Sequence, residues 1–206
     1  MADKAAVEPT PSTAKGLRAD AQRNRDKLVA VAAEAFAESG VETSLEDIAR
    51  RAGVGIGTLY RHFPTREHLV EVVYRRELES LAAAACELAA AHPADVALEE
   101  WMHRFVGYIA AKRGMAKSLR LLLNSNSELF AESSGVVSGA LRRLVENAAS
   151  KGVIRSDVES TDLLHALSSI YSIPDSPEWR DRSRRLIRLL MDGLRWGAKA
   201  QAVSKA

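Results

Sequence analysis

From about Asp20 the apolar residues return every three or four positions: Leu28, Val31, Ala32, Ala35 and Phe36, with charges between them and Gly40 as a stop. That spacing is one face of an α-helix. A second, short helix follows. The hydroxyl of Thr43 or Ser44 can cap it, with Glu46 or Asp47 three residues on. It carries Ile48, Ala49 and Ala52 on one side and halts at Gly53. A third short helix runs to about Phe63, where Pro64 forbids continuation. Thr65 offers a fresh cap, and a long helix then passes through Leu69, Val72, Val73, Leu81 and Leu88 to His92-Pro93.

Beyond Pro93 the pattern predicts helices over Asp95–Lys112, Met115–Leu123, Glu128–Lys151, Ser160–Ile173 and Pro177–Ala200. Asn124 to Asn126, Lys151-Gly152 and Pro174 to Pro177 separate them. Sustained period-two alternation and hairpin turn signals are both missing, so the expected fold is all-α. Residues 1–17 hold Pro9, Pro11 and Gly16 and almost nothing to bury, which predicts a disordered arm. Residues 18–65 then form a compact head, and residues 66–206 a helical body.

Composition narrows the function. Hydrophobic residues make up 47% of the 206 and charged residues 27%, as in a globular protein with a real core. The net charge of +2 makes no case for nucleic acid by itself, so any DNA contact must come from local grouping. Cys86, the one cysteine, excludes an internal disulfide framework and a multi-cysteine metal cluster. No membrane-spanning or secretion segment is visible, which places the expected protein in the cytoplasm. There is no phosphate loop, activated nucleophile or acid pair in a defined motif, and neither turnover nor a cofactor is expected.

Three closely spaced helices, the last two only about two turns long, form a helix-turn-helix. The first of the pair crosses the phosphate backbone and the second enters the major groove. Gly53 stands where the tight turn needs positive φ. Leu59 and Phe63 point to the core, which turns Gly57, Thr58 and Arg61 outward, with Tyr60 and His62 beside them. Arg61 has the fork for a guanine edge, Thr58, Tyr60 and His62 suit phosphates, and Ile56 suits a thymine methyl. Arg18, Arg23 and Arg25 fit either a minor-groove arm or a solvated face.

The run from Thr43 to Ala49, followed by Ala52 to Glu67, resembles the N-terminal signature of the TetR family over roughly residues 20–75. The resemblance implies a homodimer, usually a repressor, that grips a palindromic operator in double-stranded DNA and is released by a small-molecule effector. It puts backbone contacts on Thr43, Ser44, Tyr60, His62 and Arg66. Base contacts fall near Leu45, Gly55, Ile56, Thr58 and Arg61. Gly55 and Ile56 depart from the serine and lysine that commonly open the third helix in this family.

The body has no motif of comparable strength. Trp101, Phe105, Tyr108, Ile109, Met115, Leu119, Leu122 and Phe130 serve equally as a ligand-cavity lining or as ordinary core, with His103 or His165 to orient a polar group. Two apolar stripes on the last helices, Leu163, Leu164, Leu167 and Ile170 and then Leu186, Ile187, Leu190 and Leu194, are expected to meet a second copy in a four-helix bundle. Competing readings are a helical small-molecule carrier, an enzyme keeping a vestigial head, and a constitutive DNA-binding protein.

Overall fold

In the computed structural model the described residues are 11–39, 43–125, 127–172 and 178–204, and among them all regular structure is helical. Nine α-helices follow one another there: α1 Pro11–Ser39, α2 Leu45–Ala52, α3 Ile56–His62, α4 Arg66–Ala91, α5 Ala94–Gly114, α6 Ala116–Ser125, α7 Ser127–Ser150, α8 Ser160–Ser168 and α9 Trp179–Ser204. A 3-10 turn, Ser169–Ser172, extends α8. The all-α expectation holds, with most boundaries within a few residues.

The exception is the start of α1. It begins at Pro11 instead of near Asp20, so residues 11–17 of the expected arm are helical. Proline is accommodated in a first helical turn, where its missing N–H has no intrahelical partner anyway. A stretch with little to bury can still be helical when it extends an anchored helix, because propagation is easier than nucleation.

The turns follow local chemistry. Gly53 adopts φ +67°, its N–H bonded to Arg50 O at 3.1 Å while Val54 N–H reaches Ala49 O at 3.0 Å. This paired closure, with a left-handed glycine, ends α2 and sets up α3. Gly152, also at φ +67°, ends α7 with the same pattern, bonding Ala149 O at 2.9 Å while Val153 bonds Ala148 O at 3.2 Å. Thr65 caps α4 by accepting from His68 N–H at 3.1 Å.

One apolar core runs without interruption through head and body. In the head, Leu28, Ala32, Ala35, Phe36, Ile48, Ala52, Leu59 and Phe63 are shut away from solvent. Helix α4, about 39 Å long at 1.5 Å per residue for its 26 residues, carries that core into the body. There it packs against α5, α6 and α7. Polar bonds fix its position: Trp101 Nε1 donates to Leu81 O at 2.8 Å, and Arg76 Nη1 donates to Asp26 O of α1 at 3.1 Å. Arg195 ties α9 to the first turns of α5, with Asp95 at 2.9 Å and Glu99 at 2.8 Å.

A candidate DNA-reading face and the body behind it

Helix α3 is seven residues long and has no acidic residue. Leu59 is fully buried and fixes its rotation. Ile56, Gly57, Tyr60 and Arg61 consequently share the outward side and are exposed, with Tyr60 at 46% and Ile56 at 38%. Thr58 and His62 lie on the flanks and are half-buried, His62 tilted against Phe63 with centroids 6.2 Å apart. Gly55 precedes the helix and is exposed, with open space where a Cβ would stand; the same holds at Gly57. The outward surface is thus an apolar corner, a phenol, a guanidinium and bare backbone.

Ser44 is the hydroxyl that caps α2, accepting from Asp47 N–H at 3.0 Å, and it stays exposed. Two other expected contacts, Thr43 and Leu45, are corrected by their burial, and a third, Arg66, is engaged within the chain. Thr43 is buried and its Oγ1 donates to Ala35 O at 3.0 Å, so its hydroxyl satisfies the end of α1. Leu45 is buried in the head core. Arg66 donates through Nη1 to Thr43 O at 2.6 Å and lies over the Phe36 ring at 5.3 Å. Its guanidinium braces the loop before α2, a task a family pattern cannot separate from phosphate binding, because both need a cation at that place.

Charges on α2 are locally balanced. Asp47 bonds Arg50 and pairs with Arg51 at 2.7 Å, while Arg51 also reaches Glu38 at 2.8 Å. The Arg50 hydrogen bond, with Arg51 beside it, holds the Asp47 carboxyl below its ordinary range. At the other end of the head, Arg25 stands over the Phe63 ring at 5.4 Å and Arg23 pairs with Asp20. Both belong to a continuous helix, which sets aside the extended-arm alternative for them; the Arg18 side chain lies outside the described residues.

In the body, Trp101, Phe105 and Tyr108 form a buried chain of rings along α5, at 5.8 Å and 5.7 Å between successive centroids. Ile109, Met115 and Leu119 are buried, Leu122 is half-buried, and the Phe130 side chain lies outside the described residues. Tyr74 of α4, which sequence reasoning missed, meets Tyr108 hydroxyl to hydroxyl at 3.1 Å. Its signal was a polar tip adjoining the apolar residues Leu69, Val70, Val72 and Val73. His165 is exposed, because α8 turns Leu163 and Leu167 inward and a residue two places from either faces away. It orients nothing inside the body. His103 is half-buried.

The expected dimer stripes also need correction. Leu163, Leu167, Ile170, Ile187 and Leu194 are buried in the chain's own core, and Leu164 and Leu190 are half-buried. An apolar stripe announces that something covers it and does not say whether the cover is the same chain. Leu186 alone of that set is exposed, in company with Leu189 at 68% and Trp196 at 77%. With Gly193 these lie on one outward side of α9.

A short capped helix, a glycine turn and a second helix with an outward guanidinium define a helix-turn-helix DNA-binding regulator. The sequence pattern of bacterial regulatory proteins of the tetR family matches residues 28–73, and that of the SbtR-like transcriptional regulator C-terminal domain matches residues 92–196. The chain belongs to the TetR family of transcriptional regulators. A TetR regulator from Streptomyces coelicolor is 44% identical and superposes with a TM-score of 0.75, covering 83% of this chain and 98% of that one. A second, from Mycobacterium vanbaalenii, is 33% identical with a TM-score of 0.68, covering 87% and 99%. An HTH-type transcriptional regulator of Staphylococcus aureus strain USA300 is 42% identical over 64 residues, 31% of this chain and 35% of that protein. Among the described residues no helix is long and apolar enough to cross a membrane.

Proposed function

We propose that this regulator is a homodimeric repressor that reads a palindromic operator with paired α3 helices and leaves it when a small molecule occupies the body. The outward face of α3 carries the reading: Arg61, Tyr60 and Ile56 are exposed together on a helix without acidic residues, and Ser44 is exposed at the start of α2. Arg61 reads a base edge, Tyr60 and Ser44 hold phosphates, and Gly55 and Gly57 let backbone come close. Ile56 contacts a thymine methyl.

Two heads need a fixed separation of about 34–36 Å, one helical turn of DNA. The exposed stripe on α9 supplies the means. Arg182, Leu189 and Trp196 repeat every seven residues, with Leu186 and Gly193 alongside, which is the spacing of a helix-helix seam. Leu189 and Trp196 are too exposed to belong to the chain's own core, and pairing α9 with its symmetry mate would cover them. An effector acts by favouring a body shape in which α4 holds the heads at the wrong spacing.

The test is binding of the purified protein to a promoter fragment from its own operon. Specific binding that Arg61→Ala weakens tenfold or more supports the proposal. Binding unchanged by Arg61→Ala and Tyr60→Phe refutes the reading face.

A further inference from the structure

Tyr60 and Ser44, the phosphate contacts of the reading face, carry no charge, and Arg61 is directed at a base edge. Duplex DNA, however, is held largely by cations that displace condensed counterions from its phosphates. With a net charge of +2 over the whole chain, that electrostatic attraction must come from particular cations close to α3.

Other cations of the head are engaged within it. On α2, Arg50 bonds Asp47, while Arg51 pairs with Asp47 at 2.7 Å and with Glu38 at 2.8 Å. Those side chains together carry no net charge. Arg23 pairs with Asp20. Arg25 lies over the Phe63 ring, and Arg66 lies over Phe36 and bonds the Thr43 carbonyl. Lys27 differs. It is exposed on α1, and among the described residues no carboxylate pairs with it. The residues one helical turn away, Arg23, Asn24, Ala30 and Val31, include no acid that could do so.

Position sets Lys27 apart as well. Its ammonium stands at the turn between α2 and α3, where a Cβ on Gly53 would lie 3.6 Å from Nζ. Gly55, the residue before α3, is two residues further on, within about 7 Å of chain. The N-terminal residues of a recognition helix are the ones that enter the major groove, and phosphates line both edges of that groove. An ammonium on a flexible four-carbon stem at that end of α3 suits a phosphate as a mobile point charge.

We infer that Lys27 is a phosphate-binding residue of the head, reaching from α1 to the DNA strand beside the α3 N-terminus and supplying charge that α2 lacks. The inference rests on the reading that α3 enters the major groove. It gives α1, otherwise the scaffold of the head, a direct part in holding the duplex.

The experiment uses the full chain as wild type, Lys27→Gln, Lys27→Arg and Arg61→Ala. Binding to a promoter fragment from its own operon and to sheared DNA of mixed sequence is measured across a salt series, with far-UV circular dichroism to verify folding. Lys27→Gln is expected to lower the slope of log K against log salt by about 0.9 for each bound head, so about 1.8 for a dimer. It weakens both DNAs by the same factor, and Lys27→Arg restores the slope. Acylation footprinting with an N-hydroxysuccinimide ester gives an independent readout on wild type alone: Lys27 is modified in the free protein and protected in the complex. An unchanged slope in folded Lys27→Gln, or an unprotected Lys27 in the complex, overturns the inference, and the α3 reading stands if Arg61→Ala still loses sequence preference. A Lys27→Gln loss confined to the promoter fragment also overturns it, since a phosphate contact carries no sequence information. No binding of wild type to either DNA overturns the inference and the α3 reading together.

Discussion

Replacing Gly53 with alanine isolates the conformational demand of the helix-turn-helix turn. The residue sits at φ +67°, where a Cβ crowds the backbone and costs roughly 1–2 kcal/mol. Packing adds little, because a Cβ placed there would meet only Lys27 Nζ at 3.6 Å, an ordinary contact with the end of a flexible side chain. The whole penalty is therefore backbone strain, and it loads onto the closure formed by Gly53 N–H to Arg50 O and Val54 N–H to Ala49 O. Opening of α2 and α3 should become about 5- to 30-fold more frequent. Amide hydrogen exchange at Ala52 to Leu59, compared with amides of α5, reads this locally. Gly53→Asn should show a smaller effect, since asparagine tolerates the left-handed region. Gly57→Ala should slow exchange in the same helix, since Gly57 is helical with open space around it and alanine is favoured there by roughly 1 kcal/mol. Equal exchange in wild type and Gly53→Ala, or equal damage from alanine and asparagine, would refute the strain argument.

Other consequences follow from the same geometry. Arg66→Ala should destabilise the head by roughly 2–4 kcal/mol, the sum of a charged hydrogen bond and a cation–π contact, read by urea denaturation. In Arg66→Lys, which keeps a charge, the salt slope of DNA binding should stay unchanged. Leu189→Glu, paired with Trp196→Ala, should yield monomers in sedimentation velocity while leaving helicity intact; a persistent dimer would move the interface off α9. Asp47 titrates below its ordinary value near 3.8, so its pairing with Arg50 and Arg51 is complete above that pH and is lost as pH falls through the lowered value. Acid unfolding of the head, followed by α2 amide signals between pH 5 and 2, should lose this component in Asp47→Asn.

Much of the fold was legible because periodicity and turn chemistry are local. Leu59 and Phe63 set the rotation of α3, and Gly53 and Gly152 marked their turns without tertiary help. What stayed hidden depended on partners distant in sequence. Two adjacent hydroxyls, Thr43 and Ser44, are equal candidates for a cap until Ala35 O claims the first. That Arg66 also braces the Thr43 carbonyl and lies over Phe36 could not be read from its place in the motif. Leu163, Leu167, Ile187 and Leu194 form good stripes, and only their burial within the chain distinguishes them from Leu189 and Trp196. The start of α1 escaped because residues 11–17 offer no apolar period to read.

The most direct test of the whole account is operator binding measured against salt for wild type, Arg61→Ala and Ser44→Ala. Loss of sequence preference with Arg61→Ala, and a uniform loss across all sequences with Ser44→Ala, is the predicted outcome. Both variants binding the operator as tightly and as selectively as wild type would contradict it.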